Sequence, residues 1–183
     1  MTRQLLLMRH AKSDWNAPGL SDKDRPLNAR GRSTAPIMAT WLFEQGYSPD
    51  LILCSSAVRT QQTLELMVGQ WEMLRLANPT LIIPKTIIDE KLYLASDSVI
   101  LSLVSSIAKE MEHANALMVL GHNPGMEVLA SILSGTPMAM PTAAIAILDS
   151  KATPKDWPAD WGSAKMWNWR GLVKPRELGR ETI

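Results

Sequence analysis

Cysteine is nearly missing from this chain: among 183 residues only Cys54 carries a thiol. A single thiol excludes an internal disulfide framework, and its place in Leu51-Ile52-Leu53-Cys54 suits a buried small hydrophobe. No apolar run approaches the ~20 residues that a membrane-spanning helix needs. Met1-Thr2-Arg3-Gln4-Leu5 leads into a short apolar run without a signal-peptide cleavage pattern, so a cytoplasmic protein is expected. An excess of charge is missing as well: 19 Lys and Arg stand against 18 Asp and Glu. That balance supplies no field to draw nucleic acid or an anionic membrane as partner. Glycine-rich phosphate cradles of the GxxxxGK(S/T) or GxGxxG type are absent. The histidines lack Asp, Glu or Cys clustered at ligand spacing, so neither a metal nor a cofactor is expected.

What is present is an ordinary globular composition, 46% hydrophobic and 20% charged. The length suits one domain over residues 1–183, large enough to bury a core unaided. Short apolar runs alternate with helical periodicity. Leu5 to Met8 reads as a buried strand closed by Arg9-His10. Asn28 is placed to cap a helix carrying Met38, Trp41 and Leu42, interrupted or kinked at Pro36 and stopped at Gly46. Leu51 to Cys54 is a second strand, leading through Ser55-Ser56 into a helix with Leu64, Met67, Val68, Trp71 and Leu74 on one face. Leu81 to Ile88, split by Pro84, offers a further strand. Ser96 or Asp97 can cap the next helix. Leu117 to Leu120 ends at Gly121-His122, and Pro124 suits the first position of another helix. Ala143 to Leu148 reads as a last buried strand and Lys165 to Arg170 as an edge strand.

This alternation predicts an α/β fold, a three-layer sandwich with a mostly parallel central sheet flanked by helices on both faces. Ligands of such sheets bind beyond the carboxyl ends of the strands. Arg9-His10, the segment Ser55 to Arg59, and Gly121-His122-Asn123 all fall there, and they hold two of the three histidines in the chain. Two guanidiniums, two imidazoles and the amides of a helix start suit a dianionic phosphoryl group, because the planar arginine fork binds two phosphate oxygens at once. Taken singly, each residue has a bland structural explanation; their convergence on one sheet edge is the signal. His113, in Lys109-Glu110-Met111-Glu112-His113, reads as a solvated helix end. Trp157, Trp161, Trp167 and Trp169 read as a packing flap at the sheet edge, or else as a cover for the pocket mouth.

The segment Leu7-Met8-Arg9-His10-Ala11-Lys12-Ser13-Asp14-Trp15-Asn16 resembles the RHGxTxxN pattern of the histidine phosphatase superfamily, with Ala11 for the usual Gly and Ser13 for the usual Thr. Arg25-Pro26-Leu27-Asn28-Ala29-Arg30-Gly31, Ser55-Ser56-Ala57-Val58-Arg59-Thr60-Gln61-Gln62-Thr63, Leu120-Gly121-His122-Asn123-Pro124 and Pro141-Thr142-Ala143-Ala144 follow in family order. Together they are similar to the small SixA-type phosphohistidine phosphatases. The resemblance implies a phosphoglycerate mutase-like fold and a phosphatase that works through a phosphohistidine intermediate. It implies His10 as nucleophile, with Arg9, Arg59 and His122 on the phosphoryl oxygens and Ser13 and Asn16 adding hydrogen bonds. Glu90 matches the position of a carboxylic proton donor, with Asp89 as its rival. The expected substrate is a phosphorylated protein such as a phosphohistidine domain. A small phosphorylated molecule is the alternative, and a non-catalytic phospho-ligand binding module the second.

Overall fold

The computed structural model describes residues 2–15, 19–110, 114–152 and 156–179. Six strands form one sheet in the order β3-β2-β4-β1-β5-β6. They are β1 Gln4–Arg9, β2 Leu51–Ser55, β3 Lys85–Asp89, β4 Ala116–Gly121, β5 Ile145–Ser150 and β6 Trp167–Val173. The first four run parallel, and β5 and β6 add antiparallel to the edge at β1. The sheet is thus mostly parallel, with the antiparallel pairs confined to one side.

Alternation along the central strands sorts the core into two layers. Leu5, Leu7, Leu51, Leu53, Leu117 and Val119 meet residues of α3, Asp97–Glu110, and α4, Gly125–Ser134. Leu6, Met8, Ile52, Cys54, Met118 and Leu120 point the other way, onto α1, Ala29–Glu44, and α2, Val58–Ala77. Cys54 is fully buried in that second layer.

The helix starts follow their capping chemistry. Asn28 accepts a hydrogen bond from Gly31 N and opens α1; Gly46, at φ +75°, follows its end. Pro36 does not divide α1, which runs uninterrupted. The carbonyl orphaned by its missing N–H belongs to exposed Arg32, where water can reach it. Ser96 Oγ accepts from Val99 N at the start of α3. The helix expected to begin at Pro124 begins one residue later, with Pro124 as its N-cap.

Three strand boundaries differ from the sequence expectation. β3 begins only after Pro84, where Lys85 N donates to the Asp50 carbonyl, because proline has no ladder donor. β5 starts at Ile145, since Ala143, at φ +62°, turns the chain, and Ala144 N donates back to Pro141 O. It continues through polar Asp149, which pairs with Arg170 and Gln4. β6 begins at Trp167 because Ala164–Met166 form a 3-10 turn.

The tryptophan-rich segment packs and does not cover the strand ends that hold His10. Trp157 stacks on Trp161, which meets Trp167, and Arg3 lies 5.2 Å from the Trp157 ring centroid. Arg3 precedes β1 whereas His10 follows it, so these rings lie about 20 Å away, at the far end of the strand. Among the described residues no helix is long and apolar enough to cross a membrane.

Candidate active site

Strands β1, β2 and β4 end side by side, and the residues that follow them meet. His10, Arg59 and His122 are 6%, 3% and 3% exposed, and the two imidazole centroids stand 5.1 Å apart. Arg59 spans them: its Nε donates to His10 Nε2 and one terminal nitrogen donates to His122 Nδ1, each at 3.3 Å. Arg9 is anchored through one terminal nitrogen to the Met140 carbonyl at 2.8 Å. Its Nε is buried and has no hydrogen-bond partner among the described residues.

These contacts assign both ring tautomers. A carbonyl only accepts, so the 2.7 Å contact of His10 Nδ1 with Ala11 O places the proton on Nδ1 and the lone pair on Nε2. Arginine only donates, so His122 Nδ1 carries a lone pair and its Nε2 donates to Ser55 Oγ at 2.7 Å. Burial pushes the His10 imidazolium pKa down to about 3, helped by repulsion from His122, Arg59 and Arg9 and opposed by the Ala11 carbonyl. Burial and then Arg59 bring His122 to about 3 as well, against the pull of Asp22. Both rings are neutral near pH 7.

The start of α2 is a sequence of tethers. Thr60 Oγ1 lies within hydrogen-bond distance of Ser55 O, Gln61 donates to Ser56 O, Gln62 accepts from Leu27 N, and Thr63 Oγ1 accepts from Ala11 N while donating to Arg59 O. The polar first turns of α2 thus tether backbone: the turn after β2, the segment before α1, and Ala11 next to His10. Gly31 adds to this: a Cβ there would stand 2.2 Å from Lys12 O, so only glycine lets α1 approach the loop after His10. Ala11 is not among the residues with positive φ, and an alanine fits in place of the family's glycine.

Of the other residues expected from the sequence, Ser13 is buried and its Oγ accepts from Arg25 at 2.8 Å. Asn16 and His113 lie outside the described residues. Glu90 opens the 3-10 turn after β3; its side chain is 82% exposed and pairs with Lys23 at 3.1 Å. Asp89 caps that turn by accepting from Lys91 N.

Two residues at the site, Asp22 and Tyr93, escaped the sequence reading, and Ser55 entered it only as part of the segment Ser55 to Arg59, without a role of its own. Ser55 supports His122 as described. Asp22 Oδ2 accepts from Arg59 at 3.0 Å and from the Tyr93 hydroxyl at 2.7 Å, and the Tyr93 ring stands edge-on to His122 at 5.6 Å. The signal available for Asp22 was its place three residues before Arg25, which opens one of the blocks that resemble the family.

Two buried, neutral imidazoles bridged by buried Arg59, with half-buried Arg9 beside them, at the carboxyl ends of parallel strands define an enzyme that can hold and transfer an anionic group. Residues 5–81 match the model of the histidine phosphatase superfamily, branch 1. An uncharacterized chloroplastic protein of Arabidopsis thaliana is 32% identical over 186 residues, covering 96% of this chain and 79% of its own. An uncharacterized protein of Mycobacterium tuberculosis is 33% identical over 152 residues, 77% of this chain and 85% of its own. The crystal structure of a putative phosphohistidine phosphatase SixA from Agrobacterium tumefaciens superposes with a TM-score of 0.72 at 27% identity, covering 96% of this chain and 100% of that one. The chain belongs to the histidine phosphatase superfamily, with a SixA-like fold, and is a hydrolase of phosphate esters.

Proposed function

We propose that this protein, acting as one domain, is a phosphohistidine phosphatase in which His10 takes the phosphoryl group from a protein-borne phosphohistidine and passes it to water. The observation that carries the reading is the hydrogen bond from His10 Nδ1 to Ala11 O, which turns the Nε2 lone pair toward Arg59. His10 Nε2 attacks phosphorus, the bond to the leaving group breaks, and its electron pair departs with that group. Water then attacks the phosphoryl group on His10, the N–P bond breaks, and its electron pair returns to Nε2. Arg9, Arg59 and His122 take the phosphoryl oxygens, with Ser13 and Asn16 in support, and the arginines offset the charge that develops during transfer. Charge neutralisation falls to these side chains, so no metal is assigned a role.

A macromolecular substrate is favoured by the rim. Trp15, Leu20 and Leu94, on the segments that bear Asp22 and Tyr93, are 71%, 49% and 52% exposed. Arg25 lies over the Trp15 ring at 3.5 Å. Such a mixed apolar and cationic rim suits a protein surface better than a sugar. Glu90, standing on the turn before Tyr93, supports the second reading, a small-molecule phosphomonoesterase with a carboxylic proton donor.

The test is trapping of the intermediate. Acid quench during turnover of labelled phosphohistidine is expected to leave protein-bound label that is acid-labile and stable to alkali. His10→Ala abolishes both label and turnover; full activity without His10 overturns the mechanism.

A further inference from the structure

Asp22 puts a negative charge where an anion-binding site has no evident use for one. Its Oδ2 and His122 Nδ1 share the same terminal nitrogen of Arg59, at 3.0 and 3.3 Å. The Asp22 backbone carbonyl takes the other terminal nitrogen. Tyr93 OH donates to Oδ2 at 2.7 Å, and Arg25 lies 3.3 Å from Oδ1. The side chain remains 46% exposed, so the carboxylate stands at the mouth of the pocket and faces both Arg59 and solvent. Burial alone would raise its pKa, but the Tyr93 hydroxyl and Arg59 together hold it below the usual carboxylate range. An ionised carboxylate cannot protonate an alkoxide. It can accept a hydrogen bond from N–H, and it repels a second negative charge.

We propose, resting on the phosphohistidine reading above, that Asp22 is the specificity-determining residue: when a phosphoryl group takes over the Arg59 donors, Oδ2 turns to the distal ring N–H of the substrate imidazole. His10 Nε2 forms its bond to phosphorus, and the electron pair of the breaking P–N bond stays on the ring nitrogen that carried the phosphoryl group. With the distal nitrogen protonated, the ring departs as neutral imidazole and no proton need be delivered. With that nitrogen bare, the leaving group would be imidazolate, a far stronger base. Asp22 keeps the proton in place because an opposite charge in contact raises the pKa of the bound ring, by about one unit or more. An alkyl or aryl phosphate offers no such cation, and toward it Asp22 serves only to position Arg59.

A pH signature follows. The groups facing Asp22 are Arg59 from α2, Tyr93 from the segment after β3, Arg25 from its own loop, and His122 beyond Arg59. Arginines stay charged, Tyr93 is raised above its ordinary value chiefly by burial and by Asp22, and His122 is neutral above about 3. None of them changes charge between about pH 6 and 9, so a change in that window reports the substrate ring.

The experiment compares kcat/KM on phosphohistidine and on para-nitrophenyl phosphate for the wild type, Asp22→Asn and Asp22→Glu. Asp22→Asn keeps an acceptor for Arg59 and removes the charge. It is expected to lose about tenfold on phosphohistidine at about pH 8.5 and little at about pH 6, as a one-unit pKa change dictates. Its loss on the aryl phosphate, which reports the altered hold on Arg59 together with folding, should be the same at every pH. Asp22→Glu should restore high-pH turnover of phosphohistidine. A substrate ratio unchanged by Asp22→Asn at every pH overturns the inference and leaves the phosphatase assignment standing. A wild type that cleaves the aryl phosphate but never phosphohistidine overturns the substrate reading, and this inference with it.

Discussion

Ser55 Oγ stands 2.7 Å from His122 Nε2, and Ser55 is fully buried. A hydroxyl can either accept from or donate to that nitrogen. In the structure it accepts, while His122 Nδ1 receives Arg59. To donate to a phosphoryl oxygen, Nδ1 must carry a proton, and Ser55 can then turn its own O–H to Nε2. Ser55 is thereby a positioning residue for His122. Ser55→Ala leaves a buried ring nitrogen unpaired, at about 1–3 kcal/mol, so kcat/KM should fall about 5- to 150-fold. Nitrogen chemical shifts of His122, followed with and without vanadate, should report a tautomer change in the wild type and lose it in the variant. Kinetics unaltered by Ser55→Ala would dismiss the role.

The two buried histidines tie stability to pH. Each titrates near 6.5 when unfolded and near 3 in the fold. Between those values the unfolded chain binds more protons than the folded one, so stability rises with pH in that window. The contribution is full above about pH 6.5 and is lost progressively as pH falls toward 3. Urea midpoints measured from about pH 7.5 down to 4.5 should decline, and His10→Gln, which removes one titrating group, should flatten the decline. Equal slopes would mean that His10 is not held neutral by the fold.

Glu90 separates ester from phosphoramidate chemistry. Releasing an alkoxide calls for a positioned acid worth about 10²–10⁴-fold, whereas protonated imidazole leaves without one. Glu90→Gln is expected to slow an alkyl phosphomonoester far more than phosphohistidine. Small, equal effects would remove Glu90 as the acid and turn attention to Asp89. Large, equal effects would favour an ester as the natural substrate.

Gly31→Ala should damage activity from outside the pocket. Its methyl would collide with the Lys12 carbonyl and push away the loop that follows His10. Overpacking of this kind costs about 1–3 kcal/mol of stability. A thermal melt should show that loss together with reduced kcat/KM. A variant with wild-type melting and kinetics would refute the close approach.

Metal removal should leave the rate unchanged. Among the described residues no three His, Cys, Asp or Glu side chains are grouped to hold a metal ion. Exhaustive chelation followed by assay is the measurement, and a loss reversed by a divalent cation would contradict the assignment of charge neutralisation to Arg9, Arg59 and His122. Vanadate should inhibit competitively.

The sequence by itself determined the elements and the heart of the site. Strand alternation, the Asn28 cap, and the order of Arg9-His10, Arg59 and His122 are local signals, each readable within a few residues. The tertiary structure alone decided what surrounds them. Asp22 meets Arg59 across 37 residues, Ser55 meets His122 across 67, and Tyr93 meets Asp22 across 71. No periodicity encodes such pairings, because hydrogen-bond partners far apart in the chain are set by how the strand ends converge. The neutrality of His10 and His122 is likewise a product of burial among like charges, which exists only once the chain has folded. The tryptophans show the same division. Their aromatic character was evident from composition, but their place at the far end of β1 followed from packing against α3 and α4, which only the fold provides.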